Sequence, residues 1–254
     1  MTRWKITLEY AGTNYAGWQR QDDLPTVQDS VQKAIYGFCQ QEIAITGASR
    51  TDSGVHALGQ IAHFDLDYGD RALSEFDLMK AINAHLRPQP ISVIKAEKVN
   101  EDFHARFSAH QKLYTYRLIN RHSFLTLDQD RAWLVMAPLD GKAMQEACAY
   151  LIGEHDFTSF RDAECQAKSP IRSIDNLSLE INPLEGGRGT EMVLSIEGQA
   201  FLHHMVRNIM GTLVLVGKGK LKPEDMTRIL QAKDRSKAGM TAPAEGLTLV
   251  KIDY

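Results

Sequence analysis

EIAITGASRTDSGVHALGQIAHFDLD, residues 42–67, is the stretch on which the fold reading turns. Two strand-like runs, 42–48 and 59–67, flank a loop of small residues that holds Arg50 and Asp52 two positions apart. Asp, Ser and Gly together are ordinary turn chemistry, because Asp and Ser bond their own backbone and Gly accepts positive φ. A loop on a rigid scaffold is also where a nucleophile is presented, and a nearby guanidinium favours the ionised, attacking form of a carboxylate. The residues alone leave both readings open.

Working outward, periods of 2 and 3.6 give a coarse map. WKITLEY (4–10) reads as a strand and TVQDSVQKAIYGFCQ (26–40) as a helix, with Val27, Val31, Ile35 and Phe38 on one stripe and Thr26 as N-cap. After the two central strands come a helix over 74–86, ended by the Pro88 and Pro90 region, and a strand over 91–99. The order β-α-β-β-α-β is that of the split βαβ, or ferredoxin-like, unit. The second half repeats this order in different residues: a strand at 112–120, a helix at 139–153 with Met144, Cys148 and Leu151 on one side, and strands at 172–182 and 190–198 joined by the Gly-rich PLEGGRG turn. A long apolar helix (200–217), a shorter one near 222–233 and a closing strand (246–254) complete it. Two α+β halves are expected, 1–105 and 106–254.

Hydrophobic residues make up 43% of the 254 residues and charged residues 24%, the balance of an ordinary globular protein. No apolar run approaches a membrane span, and MTRWKITLEY goes straight into strand-like alternation with no signal-peptide h-region. Cys39, Cys148 and Cys165 lie far apart, which argues against a zinc site or a disulfide framework and for a reducing cytoplasm. Net charge is −3, against a generic nucleic-acid binder. Its distribution matters more: HARFSAHQKLYTYR (104–117) and FLHHMVRN (201–208) contain no acid, while acids gather in DLDYGDRALSEFD (65–77). One basic face still binds phosphates.

Several stretches carry candidate chemistry. The D-S-G triplet also occurs in aspartic proteases, but these need two aspartates sharing a proton, and Arg50 would oppose that sharing. In FLHHMVRN a helix would place His203 and Arg207 on one face, and the apolar IMGTLVLVG that follows implies burial. A buried arginine needs an anionic partner, for which Asp52 is a candidate. No third ligand at recognisable spacing supports a metal site there. In KLYTYR, Tyr114 and Tyr116 share one strand face. Such pairs pack in sheets, or stack on a nucleobase when one lines a cleft. FHARF (103–107) mixes aromatic and basic residues as nucleic-acid grooves do, or as solvated loops do, and QAKSPIRS (166–173), basic but without an aromatic, fits that pattern less clearly.

GASRTDSGVHALGQIAHF, NEDFHARFSA, KLYTYR, DFTSFR, FLHHMVRNIMG and AEGLTLVKIDY, in that order and over essentially the whole chain, resemble the TruA family of tRNA pseudouridine synthases. The resemblance implies an α+β fold of two ferredoxin-like halves, packed as a pseudo-duplicated mixed-sheet pseudouridine synthase fold with a central basic cleft. It implies a cytoplasmic homodimer that needs no cofactor or metal and isomerises uridines at positions 38 to 40 in the anticodon arm of tRNA. It makes Asp52 the catalytic aspartate, Tyr114 the ring stacked on the target base, Arg207 the ion-pair partner of Asp52, and Arg50 a tRNA contact that helps displace the nucleotide. RNA contacts are implied for Phe103, His104, Ala105, Arg106 and Phe107, for Glu164, Cys165, Gln166, Ala167 and Lys168, and for His203. Lys168 stands where an arginine is common in the family, and the chain lacks the tail some relatives carry. The reading from another class is a non-catalytic RNA-binding protein on duplicated ferredoxin-like sheets, which leaves Asp52 without a reason.

Overall fold

A computed structural model describes residues 1–69 and 73–254, so part of the acid-rich run 65–77 lies outside the described residues. The chain forms two compact units, Met1–His110 with Thr248–Tyr254, and Gln111–Leu247. Both mix α-helix with a mixed sheet, and five α-helices occur among the described residues.

In the first unit, β1 (Thr2–Tyr10) alternates apolar and polar residues and buries Trp4, Ile6, Leu8 and Tyr10. Helix α1 (Val27–Cys39) begins where the Thr26 hydroxyl accepts the Asp29 N–H at 3.3 Å. It buries Val27, Val31, Ala34 and Ile35, while the half-buried Phe38 stacks on Tyr68 at 5.2 Å. The strand expected over 42–48 contracts to β2 (Thr46–Gly47). The reason lies in α1: Gln28 and Gln32 donate side-chain amides to the carbonyls of Ile45 and Ile43, both at 2.9 Å, so these groups are taken by the helix instead of the sheet. Strand β3 (His56–Leu66) starts earlier than expected and is buried at nearly every position, as a central strand must be. Helix α2 (Glu75–Leu86), capped by Ser74, and β4 (Ile91–Val99) follow.

The strands lie in the order β4-β1-β3, with β2 antiparallel to the inner end of β3. That is the order a split βαβ unit requires. Beside it on β3, but parallel, runs the start of β11 (Leu247–Asp253), through Thr248↔His56 and Leu249↔Ala57. A Cβ on Gly59 would lie 2.4 Å from the Val250 carbonyl oxygen, so that approach requires glycine.

In the second unit β5 (Gln111–Asn120) pairs β10 (Thr190–Gly198), and β10 pairs β9 (Asn176–Pro183) through the expected Gly-rich turn. The short β6 (Trp133–Val135), which no pattern signalled, lies parallel on β5. Helix α3 (Gly141–Cys148), capped by Asp140, gives way to a 3-10 turn at Ala149–Leu151, so it is shorter than 139–153. The run 172–182 is two strands: β8 (Ile171–Ile174) pairs β7 (Gly153–Asp156) in a separate ribbon, and β9 begins after Asp175, whose N–H is taken by the Glu197 carbonyl at 2.8 Å. Helix α4 (Met205–Gly217) is buried on nearly every side, and α5 (Asp225–Ala232) follows. The helix expected from 200 starts five residues late, because His204 takes a left-handed conformation (φ 60°) and stops it.

Replacing the buried Thr26 by alanine removes the α1 cap and is expected to destabilise the protein by about 1 kcal/mol, read as a lower urea midpoint at unchanged slope.

Candidate functional site

In the first unit the stretch 47–55 is held as a turn by main-chain bonds. The Trp18 N–H reaches the Thr51 carbonyl at 3.1 Å, the Gly54 N–H reaches Tyr15 O at 3.2 Å, and the Val55 N–H closes on Asp52 O at 3.2 Å. The Ser53 hydroxyl adds a bond to Tyr15 O at 3.1 Å, and the buried Thr51 hydroxyl meets Tyr10 Oη at 2.9 Å. The buried Gln60 amide clasps Ser49 from both sides, donating to its carbonyl at 2.7 Å and accepting its N–H at 3.3 Å. Two glycines allow the close approach. A Cβ on Gly12 would sit 1.9 Å from Val55 O, and one on Gly17 (φ +95°) 2.5 Å from Thr51 O. Asp52 is half-buried at the tip of this turn and Arg50 is exposed beside it. The stretch is therefore a turn held by its main chain, with Asp52 at its tip.

The stretch 103–107 forms a second loop of this unit. Phe103 and His104 are half-buried, Ala105 is fully buried, and Arg106 and Phe107 are exposed. Inside the loop, His104 Nδ1 accepts the Arg106 and Phe107 N–H groups at 3.2 and 3.3 Å. The Arg106 guanidinium lies 5.8 Å from the Phe107 ring centre, within cation–π range.

In the second unit Tyr114 and Tyr116 point to the buried side of β5, as the alternation required. Tyr114, 6% exposed, is fixed edge-to-face against Phe201 at 5.3 Å. Tyr116 donates to Pro243 O at 2.7 Å, and burial pushes its hydroxyl pKa well up. Arg207 lies in the first turn of α4, half-buried. Its Nε donates to Ala242 O at 2.8 Å and its own carbonyl receives the Ala242 N–H at 3.2 Å. The segment that meets it is tied to α4 by buried Asn208. Asn208 Oδ1 accepts from Arg235 Nη2 at 2.8 Å and from the Thr241 hydroxyl at 2.7 Å, while its amide donates to Phe160 O at 2.8 Å.

His203 does not share a helix face with Arg207, because it precedes α4; this corrects the helical placement. It sits over His204, ring centres 3.9 Å apart, and both approach Asp162, His204 Nδ1 at 2.7 Å and His203 Nδ1 at 3.8 Å. Asp162 is also what shapes 164–168. Its carboxylate accepts the Glu164 N–H at 2.9 Å, its carbonyl accepts the Cys165 N–H at 3.1 Å, and Arg161 Nη2 bonds the carbonyls of Cys165 and Ala167 at 2.6 and 2.8 Å. The structure thus brings His203 to Glu164 and Cys165 through a residue that sequence reasoning passed over. The available signal was Asp162 two residues before Glu164, the spacing of an Asx turn, in the gap between DFTSFR (156–161) and 164–168. Burial works against ionisation of Asp162, but the Glu164 N–H and the two histidines outweigh it and hold its carboxyl below the usual carboxylate range. Cys165 is buried, whereas Glu164, Gln166 and Lys168 are exposed and Ala167 is half-buried.

The family described as tRNA pseudouridine synthase matches residues 6–108 and 147–254, which hold the Asp52 turn, the 103–107 loop, the 164–168 stretch and Arg207. This chain belongs to that family and is an isomerase. It is 48% identical over 254 residues to the tRNA pseudouridine synthase A of Rhodospirillum rubrum, covering 100% of this chain and 88% of that protein. It is 47% identical over 254 residues to that of Maricaulis maris, covering 100% and 98%. Over 256 residues it is 47% identical to that of Paramagnetospirillum magneticum, covering 100% and 96%.

Asn208→Ala removes one bond each from Arg235 and Thr241 and leaves the Phe160 carbonyl without its amide donor, and is expected to cost about 1.5–3 kcal/mol, measured by chemical denaturation. Asp162 has a lowered folded pKa, so its contribution is present above its unfolded value of about 3.9 and is lost as pH falls through the lower folded value. Asp162→Asn should therefore flatten the acid side of a stability-against-pH curve.

Proposed function

We propose that this protein converts uridine to pseudouridine in the anticodon arm of tRNA, acting as a cytoplasmic homodimer whose two subunits both contact the tRNA. Family membership supports the reaction and the substrate class. The free, widely separated thiols suit a reducing compartment. The observation that carries the site is the half-buried Asp52 at the tip of a turn fixed by main-chain bonds.

The reaction breaks the N1–C1′ bond, turns the uracil and joins C5 to C1′. The C5 proton is released and N1 gains one, so nothing is oxidised or hydrolysed. The protein must supply access and charge. A uridine leaving its stack costs a few kcal/mol. The Tyr114 ring, already fixed against Phe201, returns roughly 1–3 kcal/mol by stacking. Asp52 supplies the carboxylate that meets the sugar C1′ or the base C6, and its turn needs no rearrangement to present it. Arg207 supplies the guanidinium that keeps a carboxylate ionised. The backbone bond from its Nε fixes the direction of the charged group. Arg50, exposed next to Asp52, contacts the tRNA and helps displace the target nucleotide. The 103–107 and 164–168 stretches and His203 contact the RNA.

Asp52→Ala is expected to abolish tritium release from C5-labelled uridine in unmodified tRNA while tRNA binding stays within a few-fold. A variant that still releases tritium would overturn the assignment, and a wild-type protein that binds tRNA and releases none would be a passive binder. If stacking outweighs the hydroxyl, Tyr114→Phe should lose less activity than Tyr114→Ala in the same assay, and equal losses would contradict that role.

A further inference from the structure

The loop that displays Arg106 and Phe107 is fastened by atoms that neither motif reading nor mechanism used. Ala105 is fully buried, and both of its backbone polar atoms are caught by side chains from distant strands. Its N–H donates to Nδ1 of His63, on β3, at 3.2 Å. Its carbonyl accepts the hydroxyl of Tyr254, just past the end of β11, at 2.8 Å. The Tyr254 ring lies 4.9 Å from that of Phe103, and the Asp253 carbonyl accepts the His110 N–H at 3.0 Å beyond the loop. From β1, Arg3 forks onto Asp65 with two 2.8 Å bonds and reaches the carbonyls of Phe103, at 3.1 Å, and Glu101.

We infer that His63 and Tyr254 are positioning residues for tRNA binding: by holding the two backbone polar atoms of Ala105, they fix the loop in the one conformation that aims Arg106 and Phe107 at the RNA. The inference rests on the proposed tRNA reaction. It draws on chemistry as well as geometry. Phe107 is 77% exposed with a guanidinium beside it, and no acid lies between His104 and Arg117. That combination offers a stacking face and a phosphate contact, and ordering it in advance spares the cost of ordering it on binding. A loop tied only at its ends would lose both advantages.

His63 can accept the Ala105 N–H only while its Nδ1 is unprotonated. Burial lowers its pKa, and His104 and Arg3 lower it further against the opposing charge of Asp65. Lys5, its cross-strand partner on β1, is itself paired with Glu97 on β4 at 2.9 Å. The accepting form is therefore the one present at neutral pH.

The test compares full-length wild type with Tyr254→Phe, which keeps the ring and loses the hydroxyl, and with His63→Leu and His63→Asn, of which only the second keeps an acceptor. Losing one such bond is expected to speed amide exchange across 103–107 by about tenfold. It should raise KM and the filter-binding Kd for unmodified tRNA several-fold and leave kcat within twofold. His63→Asn should recover part of the loss that His63→Leu shows. Exchange unchanged in Tyr254→Phe would overturn the proposal, and so would faster exchange with unchanged Kd. A fall in kcat alone would also overturn it. If the wild-type protein binds tRNA yet releases no tritium, the proposed reaction has failed, while the exchange and Kd comparison still decides this inference.

Discussion

The seam between the main chains of 12–18 and 51–55 is the constraint on which the shape of the Asp52 turn depends. There the Thr51 carbonyl meets the Trp18 N–H and the Tyr15 carbonyl meets the Gly54 N–H, at separations only Gly12 and Gly17 permit. Backbone groups have no rotamers to lose, so a turn built on them holds its shape without help from long side chains. The neighbours of Asp52 are fixed by main-chain bonds, to which the buried Gln60 and Tyr10 add side-chain bonds at Ser49 and Thr51.

The second unit solves a harder problem, since it carries a cation on a helix that is otherwise uncharged and mostly buried. Arg207 sits at the N-terminal end of α4, where the helix dipole disfavours positive charge, and so must be satisfied locally. Ala242 provides this by exchanging two backbone-directed bonds with it. Ala242 is held in turn because Thr241 and Arg235 converge on Asn208, one residue beyond Arg207, while Tyr116 fastens Pro243. Gly246 is small because the Tyr116 ring lies where its Cβ would be. Buried polar groups that are fully paired in this way specify one arrangement, whereas an unpaired member would cost more than the network supplies.

Much of the fold was legible in the sequence because burial writes periodicity. Val27, Val31 and Ile35 announced α1, and Thr190–Gly198 alternates over the length of its strand. The misreadings arose where side chains took over backbone groups. Residues 42–45 have strand composition, but Gln28 and Gln32 draw their carbonyls to the helix. Residues 200–204 have helix composition, but His204 turns left-handed. Neither event leaves a periodic trace. The same holds for the candidate site. The residues alone left Asp52 open between turn and carboxylate and did not separate Tyr114 from Tyr116, and it was the family resemblance that singled them out with Arg207. The bonds of Asn208 to Phe160, Arg235 and Thr241, and of His204 to Asp162, join residues distant in sequence, which one-dimensional patterns do not encode.

The last strand belongs to the first unit, and this has a consequence for synthesis. As the chain leaves the ribosome, β1 to β4 are all available long before β11, so the His56 end of β3 must wait while the whole second unit is made. An open strand edge of that kind invites pairing with other chains. The two units therefore do not mature in the order in which they are translated: the one begun first is finished last. A cell depleted of chaperones would feel the penalty there first.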